Sequence, residues 1–174
     1  MNKQEKTLQK IAIALDKVNP ETQKTIKDMA TMMSSVEIIQ NFNQTALDFF
    51  NLLIDITKKM NLLKEFGMEV YLTFFQQAIK INASMPLDQF TVLILEFAPD
   101  IYAENEDFFL NMQIPDGQIQ GSFSQNEFSL IRSEKFKNLW KILGKDEKKE
   151  ITGLITLLTT FAHTYFVYYI LNSR

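Results

Sequence analysis

Apolar residues along this chain return mostly every three or four positions, the period of a helix face, and a single stretch alternates as a strand would. Leu8, Ile11, Leu15 and Val18 mark one amphipathic helix. Asn19-Pro20-Glu21 then supplies a cap, a proline suited to the first helical position and an acid for the first turn, so a second helix begins at Pro20. Its interior uses Met29, Met32 and Met33, side chains that fill irregular gaps at a core edge. Leu47, Phe50, Leu53, Ile54 and Met60 predict a helix over 45–60. After Gly67 the same spacing returns in Met68, Tyr71, Leu72, Phe75 and Ile79.

Asn82 to Met85 reads as a break, and Pro86 opens a helix carrying Phe90, Leu93, Ile94 and Phe97. Pro99 is expected to stop it, because a residue before proline, here Ala98, disfavours the helical region. A further short helix is expected through DIYAENEDFFLN. The alternating stretch near 112–121, around Pro-Asp-Gly, reads as an ordered loop or a small β-hairpin. Phe128, Ile131, Phe136, Trp140 and Leu143 mark the next helix. Gly144 is expected to end it and Asp146 to cap the last one.

That last helix contains the run the rest must be arranged around. Ile151 to Leu171 holds twenty-one residues without a charge, about 31 Å of helix, long enough to cross a bilayer or a small domain. Thr152, Thr156, Thr159, Thr160 and His163 share one face, while Ile151, Leu154, Ile155, Leu158, Ala162, Tyr165, Phe166 and Tyr169 group on the other. A lipid-facing span is usually apolar all round, whereas a core helix tolerates hydroxyls bonded back to its own carbonyls. The run therefore reads first as a buried bundle helix, and a membrane span through 151–171 is the alternative.

The pattern predicts an all-α, single-domain bundle of six to eight helices with a long apolar C-terminal helix. The first forty-one residues contain no aromatic side chain, although 12% of the chain is aromatic. Residues 1–41 are accordingly expected to be peripheral amphipathic helices, and 42–174 to form the core domain. With 174 residues, 46% of them hydrophobic, the chain can bury a core without staples. Cysteine is absent, which removes disulfides, thiolate catalysis and cysteine metal sites together and fits a reducing, intracellular setting.

Charge is informative through its distribution. The net value of −3 argues against a generic nucleic-acid binder. Between Lys80 and Arg132 there is no Lys or Arg, while Asp88, Glu96, Asp100, Glu104, Glu106, Asp107, Asp116 and Glu127 are all acidic. From Arg132 to Glu150 the sign reverses, with Arg132, Lys135, Lys137, Lys141, Lys145, Lys148 and Lys149 against four acids.

Catalytic signatures are missing. One histidine permits no His-based metal cluster, and no GxSxG, P-loop or GxGxxG occurs. His163 reads as a hydrogen-bonded core residue. Asp100, Glu104 and Asp107 fall at i, i+4 and i+7 and would share a helical face as a candidate hard-cation site. No second carboxylate pair of ExxH type supports them, so they read as a solvated acidic face, and no cofactor or metal is expected. Two candidate interaction surfaces remain. One is the acidic patch Asp100, Glu104, Glu106, Asp107 with Phe108 and Phe109. The other is the basic helix Arg132, Lys135, Lys137, Lys141, Lys145, Lys148 and Lys149, which could meet the acidic patch within the fold, in a second copy, or in a polyanionic partner.

PDIYAENEDFFLN, followed some twenty residues later by SEKFKNLWKILGKDEKKEITGLITLLTTFAHTYF, resembles uncharacterised helical proteins of large nucleocytoplasmic DNA viruses. The likeness covers residues 99–166: an acidic turn ending in FFLN, a KxLWKxL helix, a charged DEKK cap and an apolar closing helix. It implies a virus-encoded protein and carries no functional residues over. The opening Ile151-Thr152-Gly153 and the longer uncharged run depart from that pattern. The sequence thus predicts a non-enzymatic, cytoplasmic interaction or assembly protein, with a protein partner or a homo-oligomer. The alternative is a membrane-complex subunit.

Overall fold

The computed structural model describes residues 2–111 and 133–172. The loop or hairpin expected near 112–121, with Phe128, Ile131 and Arg132, lies outside them. The elements among the described residues are all helices, and they form one bundle. The helices are α1 (Lys3–Asp16), α2 (Pro20–Met32), α3 (Ser35–Lys59), α4 (Leu63–Phe66), α5 (Met68–Ile81) and α6 (Met85–Ile94). After the 3-10 turn Leu95–Phe97 come α7 (Ala98–Tyr102), α8 (Glu106–Asn111), α9 (Ser133–Ile142) and α10 (Lys145–Asn172).

Local chemistry sets the boundaries. Asn2 and Asn19 cap α1 and α2 through their side-chain oxygens, and Pro20 opens α2 as expected. Ser34 and Glu37 form a reciprocal capping box that starts α3 ten residues before the expected Thr45. The expected boundary at 41/42 therefore falls inside one continuous helix. Ile11, Leu15 and Val18 join the same core as Phe42, Phe50 and Leu53, so the aromatic-free N-terminal helices share the one core. Gly67, at φ +62°, turns the chain between α4 and α5 where an L side chain would be strained.

Two boundaries differ from expectation. Ala98 is helical, at φ −52° and ψ −42°, and Pro99 occupies the first turn of α7 instead of terminating a helix. Proline is welcome there because its missing N–H would be unpaired anyway. At the other end, Glu147 and not Asp146 provides the cap of α10. Its carboxylate accepts the Gly144 N–H at 2.9 Å, and the helix already begins at Lys145.

α10 runs through the bundle, packed along α3 and α2 and touching α6 and α7. Its middle turns are buried nearly all round. Leu158, Ala162 and Tyr165 are covered, and so are Thr159, His163 and Thr164. The hydroxyl face thus points into protein, where the Thr159 and Thr160 hydroxyls are satisfied within the helix and the Thr156 hydroxyl is buried with no partner among the described residues. Thr159, Thr160 and Thr164 donate to the carbonyls of Ile155, Thr156 and Thr160 at 2.7–2.8 Å. Thr164 also approaches Met29 Sδ at 4.0 Å, which seats α2 on that face. Phe42–Phe90 and Phe50–Phe75 contacts tie α3 to α6 and α5.

Candidate functional site

The acidic segment does not form the single helix that its spacing suggests. Glu104 takes the left-handed conformation, at φ 54°, and separates α7 from α8. Asn105 then caps the new helix, its side-chain oxygen accepting the Asp107 N–H at 3.1 Å. Asp100 lies on α7, Glu104 in the break and Asp107 on α8, so the i, i+4, i+7 face is lost and with it the geometry proposed for a cation. Among the described residues no group of three or more His, Cys, Asp or Glu stands close enough to hold a metal ion. Asp100, Glu104, Glu106 and Asp107 are all exposed.

Phe108 and Phe109 divide the work at the acidic patch. Phe109 is buried and stacks toward Trp140 of α9, with ring centroids 5.2 Å apart, while half-buried Phe108 meets Phe97 at 5.5 Å. Phe136 lies against the same indole at 5.9 Å. The aromatic residues of the basic helix therefore point inward and hold α8 to α9.

This packing brings part of the basic set to the acidic set inside one chain. Lys148 Nζ is 3.0 Å from Glu106 Oε1 and 5.3 Å from the Trp140 ring centroid. Lys135 is used differently. Its ammonium donates to the Phe66 carbonyl at 3.4 Å and lies 5.5 Å from the Tyr71 ring centroid, which fastens α9 to the α4–α5 corner. Lys137 is half-buried, and Lys141, Lys145 and Lys149 are exposed. The sign reversal in the sequence is thus partly an internal contact, with three lysines left on the outer side.

Two polar contacts in the bundle were not legible as pairs. Tyr102 Oη lies 3.1 Å from His163 Nδ1, joining α7 to α10. Burial pushes the His163 imidazole down to about 4, so it is neutral at ordinary pH. Burial likewise pushes the Tyr102 phenol up to about 12, with the Thr160 side chain pulling modestly the other way. The second pair is Tyr165 and Asp88, joined at 2.7 Å, with Tyr169 Oη 3.5 Å from Tyr165 Oη. Burial first, then its bonds to Tyr169 and Asp88, hold the Tyr165 phenol well above its usual range. Both tyrosines stay protonated and act as hydrogen-bond groups, not as bases or nucleophiles. A long apolar helix with a His and a Tyr on it signals only burial. The partners sit 61 and 77 residues away.

No protein-family model matches the chain, and no solved structure matches it. The chain is 44% identical over 164 residues to uncharacterized protein R465 of Acanthamoeba polyphaga mimivirus, an alignment covering 94% of this chain and 89% of that protein. That relative comes from a large DNA virus, the group that the acidic turn and the KxLWKxL helix resemble. Identity at this level over nearly the whole length of both proteins places this chain in the same family as the mimivirus protein R465.

Proposed function

We propose that this is a non-enzymatic intracellular interaction or assembly protein of viral type, acting through its outer helical faces in the cytoplasm. One observation carries the reading: the groups with chemical potential are spent inside the bundle while large apolar side chains stand outside it. His163, Tyr102 and Tyr165 are tied into helix–helix contacts. Met32 is 82% exposed, and Ile13, Val36, Tyr169, Ile170 and Leu171 are also exposed. Scattered apolar residues are ordinary on a surface, but several on neighbouring elements favour a contact with another protein. Met32 and Val36 flank the same short α2–α3 connection.

The alternative, a membrane anchor through 151–171, has length and hydropathy in its favour, since α10 meets both requirements of a span. The packing weighs against it. Withdrawing α10 into lipid would strip Leu158, Ala162 and Tyr165 from their neighbours and leave the cores of α2 and α3 open.

The test is native size in the cells that express the full chain, by chemical cross-linking and by sedimentation of the extract. The reading expects a species well above 20.3 kDa in the soluble fraction. A 20.3 kDa species alone, or complete retention in the membrane pellet, would overturn it.

A further inference from the structure

The outer face of α5 carries a second stripe, three apolar side chains and a glutamine, that the other described residues leave largely uncovered. Val70, Phe74, Gln77 and Ile81 follow one another at spacings of four, three and four, the repeat of a helix-pairing seam. The buried face of α5 is elsewhere on the cylinder, at Met68, Tyr71, Phe75 and Ala78. Val70 is 54% and Ile81 61% exposed, Gln77 is exposed and Phe74 is half-buried. A stripe of this repeat is what one helix offers another, and it extends for three turns.

The charges beside the stripe specify which helix fits. Glu69 and Lys80 are both exposed and lie on the same flank of the seam, one at each end of α5. A parallel neighbour related by a two-fold axis would carry the two charged flanks to opposite sides of the seam and pair neither Glu69 nor Lys80. An antiparallel copy of α5, related by a two-fold axis between residues 75 and 76, sets Val70 against Ile81 of the other chain and Phe74 against Gln77. The same axis keeps the flanks together, so Glu69 falls within two residues, about 3 Å along the helix, of Lys80 of the other copy at both ends. Such self-complementarity is the property of an isologous interface.

We propose that α5 is a homodimer seam, through which two copies of this chain pair antiparallel. This rests on the reading of the protein as an interaction or assembly component and names the partner for one of its faces. A three-turn seam is smaller than the roughly 800 Å² per partner of a standard interface, so the dimer is reversible and concentration-dependent.

The chain has no cysteine, which allows a direct test of both contact and orientation. Val70→Cys and Ile81→Cys are prepared as separate full-length proteins and oxidised alone and as an equimolar mixture. The mixture is expected to form a disulfide-linked dimer, containing one of each chain, several-fold faster than either protein alone. Faster self-linking of Val70→Cys with Val70→Cys, or no linking in any sample, would overturn the antiparallel seam. Sedimentation up to millimolar concentration supplies the second measurement. Lys80→Glu should weaken dimerisation at least several-fold, and the swap Glu69→Lys with Lys80→Glu should restore it, because these surface changes leave the bundle folded. A parent protein that stays monomeric throughout, or a swap that fails to restore pairing, would equally overturn it. A larger complex in cell extracts with no α5 cross-link would remove this inference and leave the assembly reading standing.

Discussion

Asp88 on α6 accepts a 2.7 Å hydrogen bond from the Tyr165 hydroxyl on α10, so a surface carboxylate anchors a buried phenol at the crossing of two helices. Asp88 also receives the Ser84 hydroxyl at 3.2 Å, which orients it from within its own helix. Tyr165→Phe should cost about 1.5–3 kcal/mol, the usual net worth of a hydrogen bond to a charged group. Asp88→Asn should cost less, since an amide oxygen still accepts. Urea unfolding of the two single variants and the double variant checks this, with the double change expected to cost clearly less than the sum of the singles.

His163 predicts how stability depends on acid. Its pKa is about 4 in the fold against an ordinary 6.5 when unfolded. Above pH 6.5 both states are neutral there and the residue contributes no pH dependence. Between 6.5 and 4 the unfolded chain binds a proton that the folded chain refuses, so stability falls as pH falls, and the loss levels off below 4. The total is on the order of 3 kcal/mol. Melting at pH 7 and at pH 4.5 should separate the parent from His163→Leu, whose decline across that window should be shallower. Equal declines would assign the acid sensitivity to other groups.

The two sides of α10 give a paired comparison. Leu158 is buried and Leu157, next to it in sequence, is 41% exposed. Leu158→Ala should cost about 2–5 kcal/mol, through lost transfer energy and the cavity left behind. Leu157→Ala should stay within about 0.5 kcal/mol. Similar costs for both would mean that the helix is rotated from the orientation described.

Where α8 meets α9 and the start of α10, the ring outweighs the ion pair. Glu106→Gln should change stability by no more than about 1 kcal/mol, because Glu106 is 65% exposed and water screens its attraction to half-buried Lys148. Trp140→Ala should cost about 3–5 kcal/mol by emptying the space between Phe109 and Phe136. Trp140→Phe should be far milder, since the indole N–H has no acceptor among the described residues. Denaturant midpoints for the three variants test the order.

Most of the architecture was legible because it depends on local signals. Pro20, Gly67 and Pro86 sit where the sequence puts them, and Thr159, Thr160 and Thr164 of α10 bond back to their own helix as a buried reading requires. The capping box Ser34–Glu37 was equally available and would have started α3 correctly. What the sequence could not supply depends on conformation or on distance along the chain. A left-handed Glu104 is permitted but not announced by its residue type, and it alone breaks the acidic face. The contacts of Tyr102 with His163 and of Glu106 with Lys148 depend on how α7 and α8 come to rest against α10, which periodicity does not encode. The internal pairing of Glu106 with Lys148 emerged only from the fold.

Amide hydrogen exchange along α10, in lipid-free water and with vesicles, tests most directly whether this helix is the interior of a self-contained bundle. The account predicts that amides from Leu158 to Tyr165 are among the slowest in the protein without lipid and are unchanged by vesicles, while those from Tyr169 to Asn172 exchange early. Fast exchange of Leu158 to Tyr165 in water, with protection appearing only when vesicles are added, would contradict it.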